Sequence, residues 1–175
     1  DRSDEQFYFL SHLHSDHLRG IEHLVTEVPF FATPISAFVI KKKYPHLRVE
    51  ELEVGYSRNL EVIKHDGSTL SFVVTSLSAG HCIGACMILF QLEGADILYT
   101  GDIRISLDNA KNIKLLKEVR DYGNLVVYID STFMKSSYAK FPSHRESIAA
   151  IITVIKNHLN ASSSHKGKLT FYIKS

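Results

Sequence analysis

This chain of 175 residues has no tryptophan, only two cysteines and only four prolines. The pair Cys82 and Cys86 makes no disulfide framework and fits a reducing compartment. No apolar run approaches the roughly 20 residues needed to cross a bilayer, the longest being Ala149 to Ile155, so no membrane partner is expected. The opening stretch Asp1-Arg2-Ser3-Asp4-Glu5 has no apolar signal-peptide core, and nothing in it indicates secretion. A net charge of +1 beside 45% hydrophobic residues excludes a disordered polyelectrolyte. It does not exclude nucleic acid, because a local basic surface can hide in a neutral total. No internal repeat, low-complexity tract or long linker breaks the chain, and its length suits one domain with a real core.

Short apolar runs rich in β-branched and aromatic residues alternate with turn signals. Phe7 to Leu10 and Phe30 to Thr33 read as buried strands, and Pro34 opens a helix running to Tyr44 that ends in Lys41-Lys42-Lys43. Leu60 to Lys64 and Ser71 to Leu77 flank Asp66-Gly67 as a hairpin, and Met87 to Leu92 with Asp96 to Thr100 form another around Gly94. Lys111 to Tyr122 is expected to be a helix closed by Gly123. The nearly all-apolar Leu125 to Ile129 is expected to be a strand buried on both faces. Ser143 and Glu146 make a capping box for a helix to about Leu159. Asn160 to Gly167 reads as a loop, and Leu169 to Ile173 as the start of a strand. The pattern is a mixed α/β domain.

The chemistry concentrates in Ser11-His12-Leu13-His14-Ser15-Asp16-His17, directly after the first strand. In extended backbone, residues two apart share a side, so His12 and His14 can converge on one cation. A turn then brings Asp16 and His17 toward the same point. Imidazole with carboxylate suits Zn²⁺ or a comparable transition metal. One short segment cannot complete a coordination sphere, and two further candidates follow strands after a glycine: His81 in Ala79-Gly80-His81-Cys82 and Asp102 in Thr100-Gly101-Asp102. Taken alone, His81 reads as a core histidine and Asp102 as a turn aspartate; with residues 12–17 they become a ligand set. Cys82 and Cys86 read as packed small hydrophobes rather than thiolate ligands.

This joint pattern resembles the metallo-β-lactamase fold hydrolases. The wording Phe9 to His17, Ala79 to Ala85, Met87 to Phe90 and Ile97 to Asp102 resembles, within them, the DNA-processing β-CASP nucleases. Tyr128-Ile129-Asp130-Ser131-Thr132-Phe133, then Phe141-Pro142-Ser143 and Arg145-Glu146, resembles the branch that acts as an endonuclease in double-strand-break end joining. The resemblance implies a four-layer αββα sandwich, incomplete on its C-terminal side. Residues 1–160 would be the N-terminal part of the metallo-β-lactamase domain and 161–175 the start of the β-CASP region. The family's final ligand histidine would lie beyond Ser175, and its upstream acidic motif is either Asp1 or absent.

Carried over by position, His12, His14 and His81 would hold a first metal and Asp16 and His17 would face a second, with Asp102 bridging them or binding whichever is present. The resemblance implies one or two Zn²⁺, with Mg²⁺ or Mn²⁺ possible at the second position, and makes Asp130 a partner of the ligands. Ile83 stands where the family usually has Pro, and Ser131 where it often has Thr. The implied activity is phosphodiester hydrolysis in DNA repair, with His14, Asp16 and Asp102 central to it and a nuclear location. The same resemblance allows 5′ exonuclease action, interstrand cross-link repair, and an end-joining kinase or ligase complex as partner. Arg104 and Thr132 are candidate phosphate contacts, whereas Lys41, Lys42, Lys43 and Arg48 read more readily as a solvated surface. Two other readings stand beside this one: a small-molecule hydrolase of the same fold, and a truncated scaffold that binds without catalysis.

Overall fold

The computed structural model describes residues 7–24, 29–64, 66–113, 124–140, 142–161 and 170–172. The chain forms two compact units, Asp1–Asp130 and Ser131–Ser175. The first holds two sheets. One is three-stranded and parallel, β1 (Tyr8–Phe9), β2 (Phe30–Ala32) and β3 (Val49–Glu51) in that order. The other has five strands in sequence order: β4 (Ser57–Ile63), β5 (Thr69–Ser78), β6 (Cys86–Leu92), β7 (Ala95–Tyr99) and β8 (Leu125–Tyr128).

Helix α1 (Pro34–Lys43) starts on the expected proline and buries Ser36, Ala37 and Ile40, of which Ala37 and Ile40 join a cluster with Leu10, Phe30, Ala32 and Val49. The sheets meet through aromatic rings. Phe9 stacks on Phe31 at 5.0 Å and stands edge-on to Phe90 at 5.1 Å, while Phe7 meets Phe72 at 6.2 Å. Such pairs add about 0.5–1.5 kcal/mol each beyond their buried area. One buried cluster lies between α1 and the three-stranded sheet and another between the two sheets, in keeping with the expected mixed α/β class.

Both hairpins form where the turn residues place them. Ile63 pairs with Thr69 across the Asp66-Gly67 turn, where Gly67 adopts φ +78°, and Leu92 pairs with Ala95 across Gly94. Three elements of this unit differ from expectation. β3 was not expected, because Val49-Glu50-Glu51 has one apolar residue; its pairing with β2 makes it a strand. The helix expected from Lys111 begins earlier, as α2 (Leu107–Asn112) capped by the Ser106 hydroxyl, and Ile113 ends it in extended backbone; the rest of that expectation lies outside the described residues. β8 is a strand, but its four side chains are exposed rather than buried on both faces. It is the edge of its sheet, bonded only to β7 among the described strands, and an apolar run does not reveal an edge position.

In the second unit, α3 (His144–Ala161) opens on the anticipated capping box: the Ser143 N–H donates to Glu146 Oε2 at 2.7 Å, and the Glu146 N–H to Ser143 Oγ at 3.2 Å. Hydrogen bonds from Ser143, its hydroxyl first and then its N–H, hold the Glu146 carboxyl below its ordinary range. Asn160 is still helical. Thr170–Tyr172 are not in a strand, and the remainder of the loop and strand expected there lies outside the described residues. No helix among the described residues is long and apolar enough to cross a membrane.

Candidate metal centre

Antiparallel pairing of β5 with β6 and β6 with β7, and parallel pairing of β7 with β8, send β5, β7 and β8 in one direction. The segments that leave their C-terminal ends carry His81, Asp102 and Asp130. The segment after β1 joins them because the Cys86 N–H donates to Ser11 O at 2.9 Å and the Cys86 thiol lies 3.7 Å from Leu10 O. Two glycines allow this approach. Gly80 (φ +65°) and Gly101 (φ +54°) are left-handed, and a Cβ would stand 2.7 Å from the Arg104 carbonyl oxygen at Gly80 and 2.7 Å from Ser11 Cβ at Gly101. The residues before His81 and Asp102 are therefore glycines for reasons of both conformation and space.

Donor atoms of His12, His14, His81 and Asp102 all lie within 4.8 Å of one another. His14 Nδ1 is 3.1 Å from His12 Nε2 and 3.1 Å from His81 Nε2. Asp102 Oδ2 is 3.4 Å from His81 Nε2 and 3.6 Å from His12 Nε2. Ligands at about 2.0–2.1 Å from Zn²⁺ stand about 3.3–3.4 Å apart in a tetrahedron; these four contacts, 3.1–3.6 Å, lie near that spacing, and the imidazole and carboxylate donors suit such an ion. A neutral imidazole has one N–H, and three ring nitrogens this close cannot all satisfy one another. A cation among them would satisfy all three.

His12 is fully buried, and burial, followed by the neighbouring His17, lowers its pKa from 6.5 to about 4. The ring is therefore neutral at pH 7 and keeps a lone pair for a cation. Ser11 Oγ lies 3.1 Å from His12 Nδ1; with that nitrogen as donor, Nε2 presents its lone pair to the cluster. Asp102 faces two ways. Its Oδ1 is 3.3 Å from His17 Nε2, which is also 3.6 Å from Asp16 Oδ2. Asp16 and His17 thus stand beside the fourfold group, with Asp102 between. Asp16 is largely exposed, and its carboxyl is held below the ordinary range, first by a hydrogen bond from its own backbone N–H.

The other candidates fall out separately. The Asp130 N–H donates to Thr100 Oγ1 at 3.1 Å, and that buried hydroxyl donates to Gly101 O at 2.8 Å, tying the end of β8 to the turn that bears Asp102. The Arg104 N–H donates to Ala79 O, and Arg104 lines a cavity of about 290 Å³ with Ser78, Gly80, Asn109 and Asn112. Thr132 belongs to the second unit, in a turn closed by Met134 N–H to Ser131 O. Of the basic cluster, Lys41 pairs with Glu51 and Arg48 with Glu50 at 2.9 Å each, and Lys42 lies over the Phe38 ring. Cys86 is buried, and burial pushes its thiol up to about 12; Cys82 is also raised by burial, and neither belongs to the donor group. Ser11 and Thr100 were missed as site residues, although both directly precede a motif residue.

A model of the metallo-beta-lactamase superfamily matches residues 9–140. The chain belongs to that superfamily. Among curated superfamily proteins it is 28% identical over 174 residues to protein Artemis of Homo sapiens, covering 90% of this chain and 25% of that protein. It is 37% identical over 142 residues to the DNA cross-link repair 1A protein of Mus musculus, covering 81% and 12%. With the 5′ exonuclease Apollo of Danio rerio it shares 29% over 156 residues, covering 87% and 26%. These relatives form the β-CASP nuclease group that the motifs resemble, and Artemis is the branch to which residues 128–146 point. The chain spans about a quarter of the length of the Artemis relatives.

Proposed function

We propose that this chain carries the metal-binding face of a DNA-repair nuclease that hydrolyses phosphodiester bonds. The observation that carries the reading is the gathering of His12, His14, His81 and Asp102 donors within 4.8 Å at the ends of separate strands. His12, His14, His81 and Asp102 Oδ2 would hold one divalent ion, Zn²⁺, and Asp16, His17 and Asp102 Oδ1 a second, Zn²⁺, Mg²⁺ or Mn²⁺. Such an ion supplies Lewis acidity, neutralising charge on phosphoryl oxygens and acidifying water. The protein's own part is geometric and electrostatic. Ser11 fixes the ring of His12, Gly80 and Gly101 let two loops close in, and Asp102 links both donor sets. Asp16, anionic and open to solvent, orients the attacking water and accepts its proton. The water oxygen bonds to phosphorus as the opposite P–O ester bond breaks; the departing sugar oxygen takes a proton from solvent, and Asp16 returns its proton to solvent.

The relatives' names support the substrate: two name DNA repair or 5′ exonuclease action, and the third is Artemis. An Artemis-like endonuclease is the reading chosen, with 5′ exonuclease action as the other outcome. A nuclear location and an end-joining kinase or ligase complex as partner belong to the same proposal. So does the division into a metallo-β-lactamase part, 1–160, and the opening of a β-CASP region, 161–175. The test is cleavage of end-labelled single-stranded, duplex and hairpin DNA by the chain loaded with Zn²⁺, Mg²⁺ or Mn²⁺. Internal cuts that vanish in His14→Ala and Asp16→Ala are expected; cleavage retained at full rate in both variants would overturn the assignment.

A further inference from the structure

We propose that Thr33 and Ser36 are positioning residues for the metal centre, clamping the loop that carries His81 through the carbonyl of Gly84. The inference rests on the metal-binding reading above and deepens it. That loop leaves β5 at Ser78 and rejoins the sheet at Cys86. Its own ties are few: Ala85 N–H to Cys82 O at 3.0 Å, and a long Ala79 N–H to Ala85 O contact at 3.4 Å. Ile83 is 80% exposed, so no apolar side chain at that position anchors the loop in the core.

The ends of the loop are held by the core, where Ala79 and Ala85 are buried with Leu77 and Met87 and Cys82 packs against them, and by the Arg104 N–H on Ala79 O; the tip at Gly84 is held from the start of α1. Thr33 is the N-cap of that helix, where its hydroxyl would ordinarily accept from a first-turn N–H. It makes no such bond. Instead, Thr33 Oγ1 donates to Gly84 O at 2.7 Å, across 51 positions of sequence. Ser36 Oγ stands 3.4 Å from the same carbonyl and 3.1 Å from Thr33 Oγ1. Both residues are buried, at 2% and 0% exposure.

Gly84 completes the fit. Its φ is +81°, and a Cβ there would run into the Ile35 side chain and stand 2.8 Å from Ser36 Oγ and 3.2 Å from Thr33 Oγ1. Only a bare backbone can sit this closely on the helix start. A helix cap diverted to a distant loop, together with a glycine shaped to receive it, forms a clamp. What it holds lies three residues back: His81, whose Nε2 is 3.1 Å from His14 and 3.4 Å from Asp102. Coordination tolerates donor displacements of only about 0.2 Å, so a loop freed from its clamp loses affinity before it loses fold.

The experiment titrates the full chain with Co²⁺ alone, read by its visible ligand-field bands, and with Zn²⁺ by competition. Thr33→Val with Ser36→Ala should bind Co²⁺ about tenfold more weakly, with a weakened or shifted band, because partners that orient ligands act at this scale. Thr33→Ser, which restores the donor, should bind as the parent does. Val74→Ala, a buried change in the middle of β5, serves as the stability control: it should lower Tm and leave Co²⁺ affinity intact. Parent-like affinity and bands in the double variant overturn the clamp, as does an equal loss in Val74→Ala at matched Tm. A folded parent that binds neither ion overturns the metal-binding reading itself, a separate result.

Discussion

Replacing Gly101 with alanine should damage the site more than a left-handed glycine's replacement does by itself. Two effects add. The backbone at φ +54° disfavours a Cβ by roughly 1–2 kcal/mol. The new Cβ would also stand 2.7 Å from Ser11 Cβ, where ordinary contact begins at 3.4 Å, so the two segments must part by about 0.7 Å. Shared equally, each moves more than the roughly 0.2 Å that coordination tolerates. One segment carries Asp102 and the other His12, so the movement opens the donor group from both sides. Zn²⁺ affinity should fall by about ten- to a hundredfold. Stability should fall by about 2–3 kcal/mol, which for a chain of this size lowers Tm by roughly 4–12 °C. Gly94→Ala is the matched control: φ is +83° and a Cβ meets nothing within 4 Å, so it bears the backbone effect alone. Zn²⁺ titration by competition and differential scanning calorimetry on both variants decide the matter. Equal Zn²⁺ affinity in Gly101→Ala and Gly94→Ala would refute the steric argument.

Other outcomes follow from the same geometry. In the metal-free protein, unfolded His12 takes up its proton near pH 6.5 and folded His12 only near 4. Stability is therefore full above pH 6.5 and is lost as pH falls toward 4, by up to about 3 kcal/mol, and urea unfolding of His12→Gln should lack this component. Cys82→Ala should leave Zn²⁺ stoichiometry unchanged, since the thiol is outside the donor group, whereas His81→Ala should reduce it. Ser143→Ala should weaken the start of α3 by about 1 kcal/mol, seen as faster amide exchange over the first turn; unchanged protection there would contradict the capping-box reading. Arg104→Ala should lower the salt slope of DNA binding by about one if the side chain meets a phosphate, while Lys42→Ala should leave it unchanged.

Local chemistry made much of this legible. A histidine-rich segment directly after a strand, and two glycines each followed by a potential ligand, announced the donor group because strand alternation and left-handed turns are written in short windows. The hairpins and the Ser143–Glu146 box were readable for the same reason. Partner choice over long distance was not. Nothing near Thr33 says that its hydroxyl serves Gly84 instead of its own helix, and Val49 becomes a strand only because β2 is there to pair with it. The apolar run at residues 125–129 disclosed extended structure but not its place at the sheet edge. The site depends on local signals for its ligands and on distant packing for their alignment.

X-ray absorption at the Zn K-edge of the Zn²⁺-loaded chain tests the central claim most directly. The account predicts a first shell of nitrogen and oxygen alone at about 2.0–2.1 Å, with outer-shell scattering from about three imidazole rings that drops in His81→Ala. A sulfur shell at about 2.3 Å, or a shell of oxygens without imidazole scattering, would contradict it.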